Sequence, residues 1–464
     1  MRHTRREFMR KTGLGLGALL IPTHFVPGAR AALLGDDRVL VVLFLRGGAD
    51  GINLLVPRGD EANYIALRQN DETGQDITLP PAPRELQLDG FFEAYPGLAP
   101  LMHRFNSGEL AFLHAVGGTG NYSHFTAQDA MERAQPENPF LVSDGWMHRA
   151  LAVLRDLGQL SAPIVSLSGV SLSSRTAESL AGPEASLTMA FPSIADFRLT
   201  GNLSEEAGQV LRKIYEQAGG PLLAGSASAV FHAIDALAGV GNQPPDASYP
   251  DNGGLNRGLQ DAARLIKNPE LGVKMISLDY GGWDHHTNEL NRMNNVASTL
   301  GGGLDAFWSD IGDAADRTCL LVMTEFGRTA YVNGNGGTDH GWATMMAAMG
   351  GGIRGARVLT RGDANAPGTG LPTPSGHWPG LGPGELHVQP GSGQERDLKV
   401  TTDFRDVFGE VLERFMGLPR DAIRDQVLLG YTPQYPGLFR RRPRFDVVPF
   451  FDRPTAISTS RRSL

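Results

Sequence analysis

The sequence has very little cysteine, since Cys319 is the only one among 464 residues. An intramolecular disulfide is therefore excluded, and the stability of the fold must come from a buried core. Basic residues are also in the minority, with 42 Lys and Arg against 50 Asp and Glu and a formal net charge of −8. An acidic chain has no general attraction to polyanions, so we expect neither nucleic acid nor an anionic membrane as a partner.

The N-terminus lacks an apolar run long enough for a stable membrane span, which needs about 20 residues. Its apolar stretch, 13–21, is short and glycine-rich, follows the pair Arg5 and Arg6, and leads to a small-residue site ending at Ala31. This order predicts a twin-arginine signal peptide at 1–31, with an ordinary basic amphipathic helix as the alternative. We therefore predict a periplasmic or extracellular protein whose partner during export is the Tat translocase.

Export in the folded state allows a protein to acquire a metal before it leaves the cytoplasm, so a metal site becomes a reasonable expectation. The remaining residues, 32–464, contain no linker long enough to divide them, and we predict a single α/β domain. Segments rich in Gly, Pro and Ser predict insertions near 161–201 and 364–393.

Continuous apolar runs that end in Gly-rich polar sequence predict buried parallel strands. They lie at Val39–Leu45, 273–278 and 319–323, with two shorter candidates at 110–116 and 164–167. An amphipathic pattern at 295–313 precedes the third run and gives a βαβ unit, and a further helix is predicted after Asp403. The predicted fold is a doubly wound, mostly parallel central sheet with helices on both faces.

Carboxylates and imidazoles follow the three main predicted strands. They are Asp50 after the first, Asp284, His285 and His286 after the second, and Glu325, Asp339 and His340 after the third. Ligands of open α/β sheets bind beyond the carboxyl ends of the strands, where O and N donors suit a divalent metal such as Zn, Mn, Ca or Mg. Each of these residues also has an ordinary explanation, since Asp50 alone could be a turn former and Asp339 with His340 is a common dipeptide. The metal site is indicated by their joint placement at the carboxyl ends of the predicted strands.

Ser123 follows a glycine-rich loop and precedes a helical pattern, which places its hydroxyl at a helix N-terminus. The helix dipole there favours an anion and would help to activate a nucleophile. Plain helix capping is the alternative, because Ser is a favoured N-cap residue. The neighbouring His124 could be a substrate donor or a residue behind the metal ligands, and the sequence does not decide between them.

These motifs resemble the bacterial twin-arginine-exported proteins of the domain of unknown function 1501, within the alkaline phosphatase-like and sulfatase-like superfamily. The matching segments are 47–53, 123–132, 282–286, 324–328 with Asn333, 337–342 and 403–412. The resemblance implies an alkaline phosphatase-like sheet with up to two metal ions and one nucleophile. The sulfatase branch requires a cysteine early in the chain, and Cys319 lies in a predicted buried strand.

Carried over by position, the resemblance implies that Asp50 is the carboxylate after the first strand and that Ser123 accepts the phosphoryl group. It implies one metal site made of Asp284, His286 and His340. Phosphatases have an Asp-His pair after the third strand, where this chain has Glu325 and Arg328 instead. Glu325 would replace the missing acid, and Arg328 would hold the anionic oxygens of the substrate.

The leading hypothesis is a metal-dependent hydrolase of a phosphate or related anionic ester, either small or linked to a polysaccharide. Ser123, His124 and Arg328 are its catalytic candidates, and Asp50, Asp284, His286, Glu325, Asp339 and His340 are its metal candidates. The alternative is a non-catalytic exported binding or assembly protein on a degenerate scaffold. A purely structural role for the glycine-rich loops is the third possibility.

Overall fold

A computed structural model describes residues 37–160, 167–197, 205–218, 221–251, 253–363, 366–367 and 370–440. The predicted signal peptide therefore lies outside the described residues. At the centre is a sheet of 12 strands. The strands are β1 (Val39–Leu45), β2 (Leu110–Gly117), β3 (Gly169–Ser171), β4 (Thr188–Ala190), β5 (Met275–Tyr280), β6 (Thr318–Met323), β7 (Thr344–Gly350), β8 (Arg357–Asp363), β9 (Ala366–Pro367), β10 (Leu371–Thr373), β11 (Gly376–Trp378) and β12 (Thr402–Asp403).

The helices in the described ranges differ widely in length. They are α1 (Gly51–Leu54), α2 (Glu61–Arg68), α3 (Met102–Asn106), α4 (His124–Glu132), α5 (Trp146–Asp156), α6 (Glu205–Ala218), α7 (Pro221–Ala238), α8 (Gly254–Lys267), α9 (Glu289–Ile311), α10 (Phe404–Glu410) and α11 (Arg420–Ala422). Short 3-10 turns such as Pro96–Leu101 and Gly312–Arg317 connect several elements, and π-helical turns at Val411–Met416 and Ile423–Val427 extend α10 and α11. None of the described helices is long and apolar enough to cross a membrane.

The strands run in the order β10-β11-β8-β2-β7-β6-β1-β5-β3-β4, with β9 beside β8 and β12 beside β2. From β6 across β1, β5 and β3 to β4 all pairs are parallel. Strand β7 is antiparallel to both β6 and β2, which leaves β2 parallel to β6. The carboxyl ends of β1, β2, β5 and β6 therefore meet at one edge of the sheet.

Helices cover both faces of the sheet, which is why β1 is fully buried and apolar throughout. Val41 packs in one hydrophobic cluster with Leu259 of α8 and Leu304 of α9. The next residue of the strand, Val42, packs on the other face with side chains that include Phe408 of α10. Successive side chains of a strand point to opposite faces, so a strand buried on both faces must be apolar at every position. The predicted mostly parallel central sheet with helices on both faces is confirmed, and the antiparallel strand β7 makes it a mixed sheet.

Several predicted boundaries differ from the observed ones. The predicted helix 295–313 begins earlier, at Glu289, and ends at Ile311. The strand predicted at 164–167 falls almost entirely outside the described residues, and the next strand observed is Gly169–Ser171. The described parts of 161–201 and 364–393 contribute short strands to the two edges of the sheet. Helix α10 is capped as predicted, because the Asp403 side chain accepts a hydrogen bond from the Arg405 amide.

Candidate metal centre

The loops that follow β1, β5 and β6 approach one another closely, and glycine makes this possible. Gly47 has a positive φ of 125°, and a Cβ there would lie 2.6 Å from the Asp284 backbone nitrogen. A Cβ on Gly337 would lie 2.4 Å from the carbonyl carbon of His286. Any side chain at these positions would push the loops apart. The two glycines therefore allow the loops to bring their polar side chains together.

Three imidazoles and one carboxylate face each other at this edge. The ligand atoms of His124, Asp284 and His340 all lie within 4.8 Å of one another. His286 adjoins them, with Nε2 lying 3.0 Å from Oδ1 of Asp284 and 3.1 Å from Nε2 of His340. Nε2 of His124 lies 3.5 Å from Oδ2 of Asp284. The four residues come from the loops after β2, β5 and β6.

Each imidazole ring is held from behind through its Nδ1 atom. Nδ1 of His340 donates to the Tyr122 carbonyl at 2.6 Å, Nδ1 of His124 lies 2.8 Å from Oε1 of Glu325, and Nδ1 of His286 lies 3.1 Å from Oδ1 of Asp339. A hydrogen bond at one ring nitrogen leaves the lone pair of a neutral imidazole on the other. The Nε2 atoms thus present lone pairs to one point, which is the usual arrangement of metal-binding histidines.

The donor set fits a divalent cation. With both Nδ1 atoms donating, the Nε2 atoms of His286 and His340 face each other at 3.1 Å as two acceptors, which a shared proton or a shared cation would satisfy. Tetrahedral coordination with bonds of about 2.0–2.1 Å would separate neighbouring donors by roughly 3.3 Å, close to the 3.0, 3.1 and 3.4 Å found among Asp284, His286 and His340. Three imidazoles and one carboxylate suit Zn²⁺ and similar borderline ions better than Mg²⁺ or Ca²⁺.

Arg328 holds the carboxylate of the cluster in place. Its side chain is fully buried and donates to Oδ1 of Asp284 and to the carbonyl oxygens of Gly47, Gly48, Trp283 and Thr338. Burial alone would raise the pKa of Asp284, but the hydrogen bond and positive charge of Arg328 lower it. The expectation that Arg328 binds substrate oxygens is therefore corrected, because its donors are committed to the protein itself.

Glu325 lies one step behind the cluster. It is fully buried, and its Oε1 accepts hydrogen bonds from the Gly47 amide and the Gln128 side chain, both at 2.9 Å, besides facing His124. Burial opposes ionisation of this carboxyl, yet the hydrogen bonds from His124 and Gln128 lower its pKa. The hydrogen bond to Glu325 in turn raises the pKa of His124. As placed, Glu325 orients a ligand, and the same holds for Asp339 behind His286.

Ser123 occupies the N-cap position of α4 but does not cap it through its side chain. The residue is exposed, and its backbone amide donates to Oδ1 of Asn121 at 2.7 Å. It stands between Tyr122, whose carbonyl orients His340, and His124 itself. The Ser123 hydroxyl therefore belongs to the same turn as the donor His124 and the carbonyl that orients His340. Its side chain does not cap the helix, which was the alternative role predicted for it.

Asp50 does not join the cluster. Its carboxylate forms a bidentate ion pair with the buried Arg68, with Nη2 lying 3.0 Å from Oδ1, and Oδ1 also accepts from the Ile52 amide at 3.1 Å. Burial would raise the pKa of Asp50, but the charge of Arg68 and a hydrogen bond with the buried Glu289 lower it. No sequence pattern singled out Arg68, which lies 18 residues further on in α2. Asp50 is an ion-pair partner rather than a candidate ligand.

Three of the four donors were predicted as metal ligands from the sequence, and the role of the fourth, His124, was left open. Asp284, His286 and His340 lie where the metal site was expected, and His124 joins them as a donor. The signal for His124 was its position next to Ser123 at the start of a helix that follows a strand. Gln128 and Tyr122, which support the cluster, were not distinguished, because a side-chain amide and a backbone carbonyl leave no pattern in sequence.

The fold and the site together define a class: an α/β protein with a mixed, mostly parallel sheet and a His-rich cluster of metal-type donors at the carboxyl ends of its strands. Comparison with family models gives one match, to the family described as "Protein of unknown function (DUF1501)", over residues 197–369. That match includes the loops of Asp284, His286 and His340 but not those of Asp50 or Ser123. Comparison with curated proteins gives no match.

Solved structures give distant likenesses. The C-terminal periplasmic domain of EcEptC from Escherichia coli, in complex with Zn, has a TM-score of 0.31 and 10% identity, covering 68% of this chain and 73% of its own. The lipoteichoic acid synthase LtaP from Listeria monocytogenes has a TM-score of 0.31 and 8% identity, covering 86% and 76%. The PH0037 protein from Pyrococcus horikoshii has a TM-score of 0.25 and 10% identity, covering 68% and 88%. At these levels the likenesses define no shared function.

Proposed function

We propose that the protein is an exported metal-dependent hydrolase of a phosphate or related anionic ester, related to the DUF1501 family on an alkaline phosphatase-like scaffold. One observation carries the proposal. The imidazoles of His124, His286 and His340 are each anchored at Nδ1 and turn their Nε2 atoms towards the Asp284 carboxylate. Histidines that only pack in the fold would not direct three Nε2 atoms at one carboxylate.

The charges of the cluster suit an anionic substrate. Three neutral imidazoles and the single carboxylate of Asp284 would leave a divalent ion with excess positive charge, and Arg328 adds a buried cation behind them. A bound divalent metal would supply Lewis-acid polarisation of the ester and of a nucleophilic oxygen. Helix α4 begins at His124, within the donor cluster. Its first helical hydrogen bond runs from the Ala127 amide to the Ser123 carbonyl, so the amides before Ala127 are left to favour an anion.

The protein's own residues have distinct tasks in this proposal. His124, Asp284, His286 and His340 hold the ion, while Glu325 and Asp339 fix two of the rings. Arg328 keeps Asp284 ionised and oriented. The exposed hydroxyl of Ser123 is the nucleophile: its oxygen would bond to the phosphorus or sulfur atom while the bond to the alcohol breaks, and its proton would pass to the departing alcohol. Water would then cleave the seryl ester, which returns Ser123 and releases the inorganic anion. The twin-arginine signal at 1–31 takes the folded, metal-loaded protein out of the cytoplasm.

Metal analysis of mature protein exported by its native route tests the proposal. We expect about one Zn, Mn or similar ion per chain, loss of ester hydrolysis on treatment with EDTA, and recovery when the metal is restored. His340→Ala should lose both the metal and the activity, while His103→Ala, an exposed histidine outside the cluster, should keep both. Protein without stoichiometric metal, together with Ser123→Ala equal to wild type on phosphate and sulfate esters, would falsify the proposal.

A non-catalytic binding or assembly role is favoured by a different observation. Glu325 and Arg328, which stand where a second metal site would need ligands, are buried and occupied by internal contacts. Among the described residues only one group of His, Cys, Asp and Glu side chains meets the geometry of a metal site. A metal-loaded protein that hydrolyses no ester but retains an exported partner or polysaccharide would support this role.

A further inference from the structure

An open pocket of about 520 Å³ lies directly beside the donor cluster. Asp339 forms part of its wall, and Oδ1 of the same carboxylate lies 3.1 Å from Nδ1 of His286. Nε2 of that ring faces Asp284 on the other side. The ring of His286 stands between the pocket and the point where the Nε2 atoms converge. The side chains of His286, Asp284 and Asp339 are all about half exposed, so the point and the pocket open on the same surface and a substrate held at the point reaches the pocket over the exposed edge of the ring.

The wall of the pocket combines one aromatic ring with polar groups. Tyr331 is 44% exposed and contributes its ring to the wall. Gln394 and Glu395 add an amide and a carboxylate on the same wall. An aromatic face binds the C–H groups of a partner, while amides and carboxylates bind its hydroxyl groups. A sugar-like ligand, with C–H groups on its faces and hydroxyl groups around its edge, would use both the aromatic ring and the polar groups.

The charge of the pocket does not suit a second anionic group. Its only arginine, Arg396, donates to Oε1 of Gln389 at 2.8 Å and lies 3.8 Å from Oδ2 of Asp339. Asp339 and Glu395 outnumber it, which leaves the lining with a net negative charge. Phosphate groups or acidic polymers would be repelled here, whereas a neutral polyhydroxylated group would not.

We infer that this pocket binds the sugar ring of a carbohydrate ester, whose phosphate or sulfate group lies at the donor cluster while the ring stacks on Tyr331. The inference rests on the proposed hydrolase function, which it deepens by naming the substrate class. The alcohol released by hydrolysis would then be a free sugar hydroxyl.

Kinetics on matched substrates test the inference. Tyr331→Ala should raise KM about tenfold for glucose 6-phosphate and N-acetylglucosamine 6-phosphate, as expected for the loss of one stacking contact. The loss in KM should be much smaller for ethyl phosphate, which has no ring that could stack on Tyr331. Tyr331→Phe, which keeps the ring, should retain most of the sugar preference, and Tyr215→Ala on α6 is the matched control outside the pocket. Equal losses on all three esters, or no loss on the sugar esters, would overturn the inference.

A binding measurement separates failure of this inference from failure of the hydrolase proposal. Saturation-transfer NMR on the mature protein with the neutral sugars glucose, galactose, mannose and N-acetylglucosamine needs neither metal nor turnover. We expect transfer from at least one sugar in wild type and in His340→Ala, and its loss in Tyr331→Ala. Absence of transfer from all four sugars would sink the inference even if the protein hydrolyses simple esters. An inactive protein that still shows Tyr331-dependent transfer would refute only the hydrolase proposal.

Discussion

Nδ1 of His124 lies 2.8 Å from Oε1 of Glu325, a carboxylate that is fully buried yet ionised. Burying a charge is costly unless it is paired, and the contacts of Oε1 with His124, Gln128 and Gly47 together offset the desolvation of Glu325. The contact with His124 also fixes that ring with Nε2 turned towards Asp284. A carboxylate behind a histidine in this way both orients the ligand and makes it more basic.

The first prediction concerns that carboxylate. Glu325→Gln keeps the shape of the side chain but removes its charge, and should weaken metal binding about 10- to 100-fold. Titration against a competing chelator measures the affinity, and circular dichroism checks that the fold is retained. Glu72→Gln, at an exposed position, is the control and should bind metal like wild type. Unchanged affinity in Glu325→Gln would show that the hydrogen bond to His124 has no role in metal binding.

The second prediction separates the nucleophile from the helix cap. Ser123→Ala should reduce ester hydrolysis by at least about 100-fold, as expected for loss of a covalent nucleophile. Its melting temperature should stay within about 1 °C of wild type, because loss of a cap that makes no hydrogen bond costs little. Metal content should also be unchanged. Ser174→Ala, likewise exposed, is the control, and an active Ser123→Ala would leave a water molecule as the attacking group.

The third prediction concerns Asp50, which the structure assigns to stability. Asp50→Ala leaves the buried guanidinium of Arg68 without its main partner and should cost about 3–5 kcal/mol of unfolding free energy. Asp50→Asn should cost less because it keeps an acceptor for the Ile52 amide. Urea unfolding measures both, and folded Asp50→Asn should bind metal normally. Glu61→Ala removes a half-exposed partner of Arg58 and should change stability by at most about 1 kcal/mol. Loss of metal from well-folded Asp50→Asn would restore Asp50 as a ligand.

The fourth prediction is a pH dependence from Asp397. Burial raises the pKa of this carboxyl to about 6, although the hydrogen bond from the Tyr122 hydroxyl lowers it. A raised pKa favours the protonated folded form, so this stabilisation is complete below the ordinary aspartate pKa of about 4 and is lost as the pH rises through 6. Asp397→Asn removes the titration and keeps an acceptor for Tyr122.

Unfolding free energies in EDTA, measured from pH 4 to pH 7.5, test this dependence without interference from metal release. Relative to Asp397→Asn, wild type should lose about 2 kcal/mol of stability over that range. Asp196→Asn, at an exposed position, is the control. Asp403→Asn would be unsuitable because the Asp403 side chain caps α10. A constant difference between wild type and Asp397→Asn at all pH values would mean that the carboxyl does not titrate in this window.

Much of the fold could be predicted because its strands are buried on both faces. Val39–Leu45 is apolar at every position, and Leu110–Gly117 is buried at every position and apolar except at His114. Helices α6 and α7 were not predicted, although α7 is strongly apolar along its length. Short strands such as Gly169–Ser171 were also missed, since three residues are too few to show a period.

The sequence by itself determined which polar residues follow the buried strands, and parallel strands place such residues at one edge of a sheet. It could not say which of them point at one another. Only the tertiary structure pairs Asp50 with Arg68, places Glu325 behind His124 and commits Arg328 to backbone carbonyls. These choices depend on side-chain direction and on partners distant in the chain, which electrostatics and close packing decide after the backbone has been placed.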